Sequence, residues 1–267
     1  MRIKFGIDPT GSTIHLGRTV PLWRLKKYQD EGHQIVLIIG DFTAEIGDPS
    51  DKTDKRPKLT DVEIRRNGND YLDLIGKILD IDKCEYYYNS TWLREMPASE
   101  LLQLMDRFTI QQTTARRNFS KRLEEGTPIS LMEIMYPILQ GYDSYQVRAD
   151  IEIGGEDQLF NMLAGRDVQR HYGQKPQEVV TTPMLMGSDG RKMSTTLGNV
   201  INITDDKKTM FDKILSIRDE LALDYFKNCC PESERMKEII AELSKEKPAW
   251  RDTKEIIANE IVALYHK

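Results

Sequence analysis

Residues 3–18 read IKFGIDPTGSTIHLGR, and the fold is decided there. Ile3, Phe5 and Ile7 alternate with polar or small residues, the period of two that marks a strand. Asp8-Pro9-Thr10-Gly11-Ser12 is a dense turn signal, after which a helical pattern runs from about His15 to Glu31 around Pro21. A helix that starts directly after a first strand presents unpaired N–H groups and the positive end of its dipole, which suits a phosphate. Gly17 lets a flat base or ribose approach the backbone, and His15 can donate to a phosphate oxygen. The plainer alternative is a strand–turn–helix joint with a surface histidine.

Outward from this joint the alternation repeats. Gln34 to Gly40 is rich in Ile and Val, as a buried strand of a parallel sheet requires. Thr60 and Glu63 form a capping box that opens a helix towards Leu79. Cys84 to Tyr88 gives another strand. Residues 90–128 are helical and charged, and read as an insertion between two halves of a sheet. Ser130 and Glu133 give a second capping box, opening a helix to about Ala149. Ile151 to Ile153 is a short strand, Gly154-Gly155 opens a helix over 156–172, and Glu178 to Thr181 is one more strand. From Thr204 onward the pattern is helical, with breaks near Arg218, Pro231 and Pro248. The expectation is an α/β fold: a doubly wound parallel sheet over residues 1–200 with a helical insertion at about 85–130, then a small all-α domain over 201–267.

The 267 residues carry 38 Lys plus Arg against 43 Asp plus Glu, a formal net charge of −5. Net acidity argues against a protein that coats nucleic acid by charge alone. The clusters Arg65-Arg66, Arg116-Arg117, Lys121-Arg122 and Lys207-Lys208 read as solvated helix surface or as a local basic face. At 39% hydrophobic and 30% charged residues, a chain of this length can bury a core without a disulfide or metal. No apolar run approaches the roughly 20 residues that cross a bilayer, so no membrane association is expected. Three cysteines, two of them adjacent at Cys229 and Cys230, suit a reducing compartment, and the start of the chain does not resemble a signal peptide. A cytoplasmic location is the expectation.

Neither GxxxxGK(S/T) nor GxGxxG occurs. Instead, Lys192-Met193-Ser194-Thr195-Thr196-Leu197-Gly198-Asn199 follows a turn containing Gly187, Asp189 and Gly190. A glycine-flanked loop that carries a lysine can close on a polyphosphate and neutralise charge developing there. Together with His15-x-Gly17 after the first strand, this loop resembles the paired HIGH and KMSKS signatures of the class I aminoacyl-tRNA synthetases. The resemblance narrows to the bacterial-type tyrosyl-tRNA synthetase family through FGIDPTGSTIHLGR, IGDFTAEIGDPSDKTDKRP, LMEIMYPILQGYDSY, IEIGGEDQLFNMLAGRDVQ and KMSTTLGN, in that order along nearly the whole chain. It implies a Rossmann-like form of the sheet.

Tyr136, Gln140 and Asp143 lie at i, i+4 and i+7, about 0°, 40° and −20° around a helix at ~100° per residue, a single narrow stripe. Polar side chains on one stripe are costly in a core unless they meet a polar partner, either a substrate or a buried network closed by backbone groups. The resemblance implies that Asp143 receives the phenol hydroxyl of L-tyrosine, while Tyr136 and Gln140 hold its α-amino group with Asp48. It implies Gln158 near the substrate carboxylate, Gly155 and Asp157 at the adenylate ribose, and Met184 and Leu185 at the adenine. Gly6, Asp8, Thr10, His15, Gly17, Lys192, Met193, Ser194 and Thr195 are implied on the ATP side, with Lys52 and Arg56 helping to hold pyrophosphate. ATP is implied as substrate with Mg2+, with no protein-bound metal or prosthetic group, and tRNA(Tyr) as the acceptor.

The sequence departs from the family pattern in places. Arg18 stands where HIGH ends in histidine and is expected to meet phosphate; Thr195 replaces the second lysine of KMSKS. Lys4 occupies a position where many members place a tyrosine against the substrate hydroxyl, and an ammonium there could donate instead. The residues start almost at the first strand and stop after a short helical stretch, so the expectation is a chain without the leading helices and the C-terminal RNA-binding domain of many relatives. Two other readings stand beside the ligase: a nucleotidylyltransferase, which shares the H-x-G element, and a synthetase-like paralogue that binds tyrosine or tRNA without charging it. The resemblance implies pairing through the insertion, and Leu101, Leu102, Leu104, Met105, Phe108 and Ile110 carry more apolar surface than one packed face needs, so a homodimer is expected.

Overall fold

β1 (Arg2–Ile7) is the middle strand of a five-stranded sheet with β2 (Gln34–Ile39), β3 (Glu85–Tyr88), β4 (Ile151–Gly155) and β5 (Glu178–Thr182), in the order β3-β2-β1-β4-β5. β1 runs parallel to β2 and β4, and β2 parallel to β3, with Ile3 opposite both Ile35 and Ile151. The chain therefore winds outward from β1 on one side, returns, and builds the other side through β4. That reversal between β1 and β4 is the switch point at which open α/β sheets bind ligands beyond the carboxyl ends of their strands. This computed structural model describes residues 1–48, 59–115, 117–245 and 250–266.

The helices follow the sequence pattern with instructive differences. In chain order they are α1 (Leu16–Asp30), α2 (Asp41–Ile46), α3 (Asp61–Ile75), α4 (Ser90–Leu93), α5 (Ala98–Met105), α6 (Ile110–Thr114), α7 (Arg117–Glu124), α8 (Leu131–Gln146), α9 (Leu159–His171), α10 (Lys207–Leu215), α11 (Ala222–Cys229), α12 (Glu234–Lys245) and α13 (Trp250–Tyr265). Thr60 and Glu63 make the expected reciprocal box, the Thr60 N–H donating to Glu63 at 2.8 Å. α3 stops at Ile75 rather than Leu79, because Gly76 is a poor helix former and the chain tightens into short-range turns. At α8 only half of the expected box forms. Ser130 accepts from the Met132 N–H at 3.2 Å, but Glu133 turns away to the Arg122 guanidinium, a stronger partner than a backbone N–H. The expected helix over 156–172 opens instead with a tight turn, Glu156–Gln158. The Pro248 break lies outside the described residues.

The chain divides into two compact units, each discontinuous in sequence. The first comprises Met1–Ser12, Glu31–Leu72 and Asp80–Thr181. Its core holds the apolar residues of β1 and β2, and a cluster of Leu93, Leu104, Ile138, Leu139, Tyr142 and Val168. α8 and α9 meet at Gly141, where a Cβ would lie 3.0 Å from Val168. The second comprises Thr13–Asp30, Asp73–Leu79 and Thr182–Lys267. There α1 buries Leu16, Val20, Leu22 and Leu25, while α11 and α13 bury Tyr225, Phe226, Ile257 and Ile261; Trp23 donates to the Tyr265 hydroxyl at 3.2 Å. Among the described residues no helix is long and apolar enough to cross a membrane.

Candidate active site

The polar stripe of α8 is held by a ring of hydrogen bonds within the first unit. Asp143, 3% exposed, accepts from the Trp92 indole at 2.8 Å on one oxygen and from the Asn89 amide at 3.3 Å on the other. Asn89 also donates to the Thr43 hydroxyl at 3.1 Å, and Thr43 donates to Asp8 at 2.7 Å. The other Asp8 oxygen accepts from the Tyr136 hydroxyl at 2.8 Å, which closes the ring on α8 two turns before Asp143. Only glycine fits at residue 40, since a Cβ there would lie 2.1 Å from Asp8. Burial pushes the Asp8 carboxyl up to about 7 and the Asp143 carboxyl up to about 6; the nearby Lys4 charge opposes the latter rise. Such rings fix side-chain orientation before any ligand arrives.

Lys4 differs from its expected role. Its ammonium, wholly buried, donates to the Gln140 carbonyl at 2.8 Å and the Ser144 hydroxyl at 2.8 Å, and pairs with Glu152 at 3.0 Å. Two of its three N–H donors are thus spent on α8, and its charge is matched by Glu152 rather than by a substrate group. On the same strand Gly6 is exposed, with open space where a Cβ would stand. Gln140 donates to Glu152 at 3.1 Å. Gln158 donates to Asp48 and accepts from Asn161 at 2.9 Å, which places these two implied substrate groups together. Gly155 lies beside Asp157, whose carboxylate would be 2.5 Å from a Cβ there. Thr10 is half-buried in the turn after β1, its N–H donating to the Asp8 carbonyl at 2.8 Å.

In the second unit the two signature segments meet. Residues 14–16 pair antiparallel with 201–203: Leu16 N–H donates to Ile201 at 2.8 Å and Ile203 N–H to Ile14 at 2.9 Å, which buries His15 at the start of α1. The Gly17 N–H approaches the Met193 sulfur at 3.3 Å. Gly187 to Arg191 form a tight turn that requires glycine at 190, where φ is +77°. Asn199 then braces the loop, accepting from Ser194 N–H at 2.9 Å and donating to the Lys192 carbonyl at 3.1 Å. Lys192 and Arg18 are half-exposed and Thr195 is exposed. Met184 and Leu185 line a cavity of about 220 Å³ with Met186 and Tyr225. Lys52 and Arg56 lie outside the described residues.

The family profile described as tRNA synthetases class I (W and Y) matches residues 1–267. The chain belongs to this family. Among curated class I synthetases, the tyrosine–tRNA ligase of Aquifex aeolicus is 44% identical over 267 residues, covering 100% of this chain and 67% of that one. The tyrosine–tRNA ligase of Desulfotalea psychrophila is also 44% identical, with 100% and 66% covered. The chain thus spans about two thirds of the length of the curated relatives it matches. In fold it is similar to the tyrosyl-tRNA synthetase of Archaeoglobus fulgidus crystallised with L-tyrosine, at a TM-score of 0.78 and 19% identity, covering 99% of this chain and 88% of that one.

Around the candidate site, the sequence reading missed Thr43, Asn89, Trp92, Ser144, Glu152 and Gln177. The first five are polar, or carry a polar N–H, and support a named site residue from another element, while Gln177 donates to Glu152. The one available signal was Glu152, a charge flanked by Ile151 and Ile153 on a short strand that must be buried.

Proposed function

We propose that the chain is a tyrosine–tRNA ligase, which activates L-tyrosine with ATP and transfers it to tRNA(Tyr). The observation that carries this reading is Asp143. It is a buried carboxylate with two N–H partners, and a carboxylate offers about four lone-pair sites, so capacity remains to accept a phenol hydroxyl. The 44% identity to tyrosine–tRNA ligases along the whole chain supports the same substrate.

In the first step a tyrosine carboxylate oxygen attacks the α-phosphorus of ATP, and the bond to the leaving pyrophosphate breaks. In the second, a hydroxyl of the terminal adenosine of tRNA attacks the carbonyl of the adenylate and releases AMP. No side-chain nucleophile is needed; the protein positions charged reactants and stabilises charge moving to the leaving group. His15 and Lys192 would serve the phosphates, with Arg18 contributing a fixed charge, and Mg2+ would arrive with ATP as part of the substrate. We place the enzyme in the cytoplasm and pair it as a homodimer through α4 to α7.

Tyrosine-dependent exchange of pyrophosphate into ATP, followed by charging of tRNA(Tyr), tests the proposal. Exchange and charging are both expected. Exchange without tyrosine dependence would point to a nucleotidylyltransferase, and tyrosine binding without either activity to a non-charging paralogue.

A further inference from the structure

Glu152 is the hub of a buried network that the proposed reaction does not itself use. One oxygen pairs with the Lys4 ammonium at 3.0 Å and accepts from the Gln140 amide at 3.1 Å; the other accepts from Ser144 at 3.1 Å and from Gln177. Three hydrogen bonds and one ion pair thus converge on this carboxylate. Lys4 in turn donates to the Gln140 carbonyl and the Ser144 hydroxyl, which ties the pair to α8. A buried ion pair is weak evidence of stabilisation, because desolvation offsets much of the attraction. Its value lies in what it orients.

The oriented group is Gln140. A primary amide can present either its NH2 or its oxygen to a neighbour, and the choice reverses what faces the other way. Glu152 only accepts, so it takes the NH2, and the Gln140 amide oxygen has no hydrogen bond among the described residues. Lys4 braces the same residue from its backbone carbonyl. We infer that Lys4 and Glu152 form a positioning pair that locks the Gln140 amide with its oxygen towards the substrate's ammonium, and so select an amino acid over its desamino analogue. The inference rests on reading the α8 stripe as a tyrosine site.

The test compares L-tyrosine with 3-(4-hydroxyphenyl)propanoate, which lacks only the ammonium, by calorimetric titration of the full chain. The double variant Lys4→Met with Glu152→Gln keeps shape, removes both charges and frees the amide to turn. Losing a hydrogen bond to a charged group should weaken tyrosine binding about 10- to 100-fold, while affinity for the analogue stays at its wild-type value. Glu152→Asp keeps the charges but withdraws the carboxylate by one methylene, and gives the same readout if the neutral pair melts too low. Equal losses for both ligands would show a merely structural network and overturn the inference, as would wild-type affinity for both. A wild-type chain that binds neither ligand overturns the tyrosine reading itself, and the inference with it.

Discussion

The Gly17 N–H points at the Met193 sulfur from 3.3 Å, so the start of α1 and the lysine loop touch through backbone and thioether. A sulfur is a weak acceptor, and this contact yields readily to a phosphate oxygen, a far better partner for a helix N-terminus. A Cβ at residue 17 would lie 3.1 Å from the His15 imidazole and 3.6 Å from that sulfur. Gly17→Ala should therefore leave the fold intact but push His15 by a few tenths of an ångström. Exchange kinetics should show a loss of about tenfold in kcat/KM for ATP, since small misplacements of a catalytic group are costly. Unchanged kinetics would remove His15 from the ATP site.

Lys192→Ala should slow adenylate formation several hundredfold, about 3–4 kcal/mol, while KM for tyrosine stays nearly constant. The reason is that a charge contact made mainly in the transition state lowers kcat rather than ground-state binding. Thr195 cannot replace the lost cation. Single-turnover measurement of adenylate formation checks this.

The sheet was legible because parallel strands must be apolar throughout, as in Gln34–Ile39, and because turn residues flank each one. The α8 stripe was legible for the opposite reason: three polar groups on one face of an otherwise apolar helix demand partners. The partners themselves were not. Asn89, Thr43 and Glu152 come from three elements 46 to 109 positions apart, and only tertiary structure brings them to Asp143, Asp8 and Gln140. The partners of Lys4 were hidden for the same reason, since Glu152, Ser144 and Gln140 reach it only through long-range contacts.

The raised Asp8 carboxyl makes stability depend on pH. Burial is the main cause, with the Asp48 and Asp143 charges adding to it. The folded state holds this proton more tightly than the unfolded state, so stability falls as pH rises from about 4 to about 7 and stays lowered above. Asp8→Asn keeps the Thr43 and Tyr136 partners without the charge. It should melt roughly 3 °C or more above wild type at pH 8, with the gap narrowing towards pH 5, although exchange activity falls. Thermal melts across that range decide it.

Discrimination against phenylalanine should exceed a factor of about 100, because a buried charged acceptor left without its hydroxyl costs about 3 kcal/mol or more. KM for tyrosine should rise as pH falls through about 6, where Asp143 takes a proton. A flat pH profile, or comparable activation of phenylalanine, would refute the role of Asp143.

The homodimer can be tested on fewer residues than the sequence suggested. Leu104 is fully buried, and Leu101 and Phe108 pack against the same core cluster. Leu102 at 64% and Ile110 at 66% exposure remain, with Met105, Leu123 and Leu131 also exposed. Large apolar side chains exposed along one short stretch of chain mark a contact surface when they form a patch beyond a few hundred Å². A twofold interface repeats each contact, so a single charge introduced on one chain meets its copy or its partner surface twice. Sedimentation at micromolar concentration should give twice the 30.9 kDa of one chain. Leu102→Glu with Ile110→Glu should halve that mass and leave the melting temperature near wild type, because neither side chain supports the core. A wild-type chain that sediments at the single-chain mass would refute the dimer.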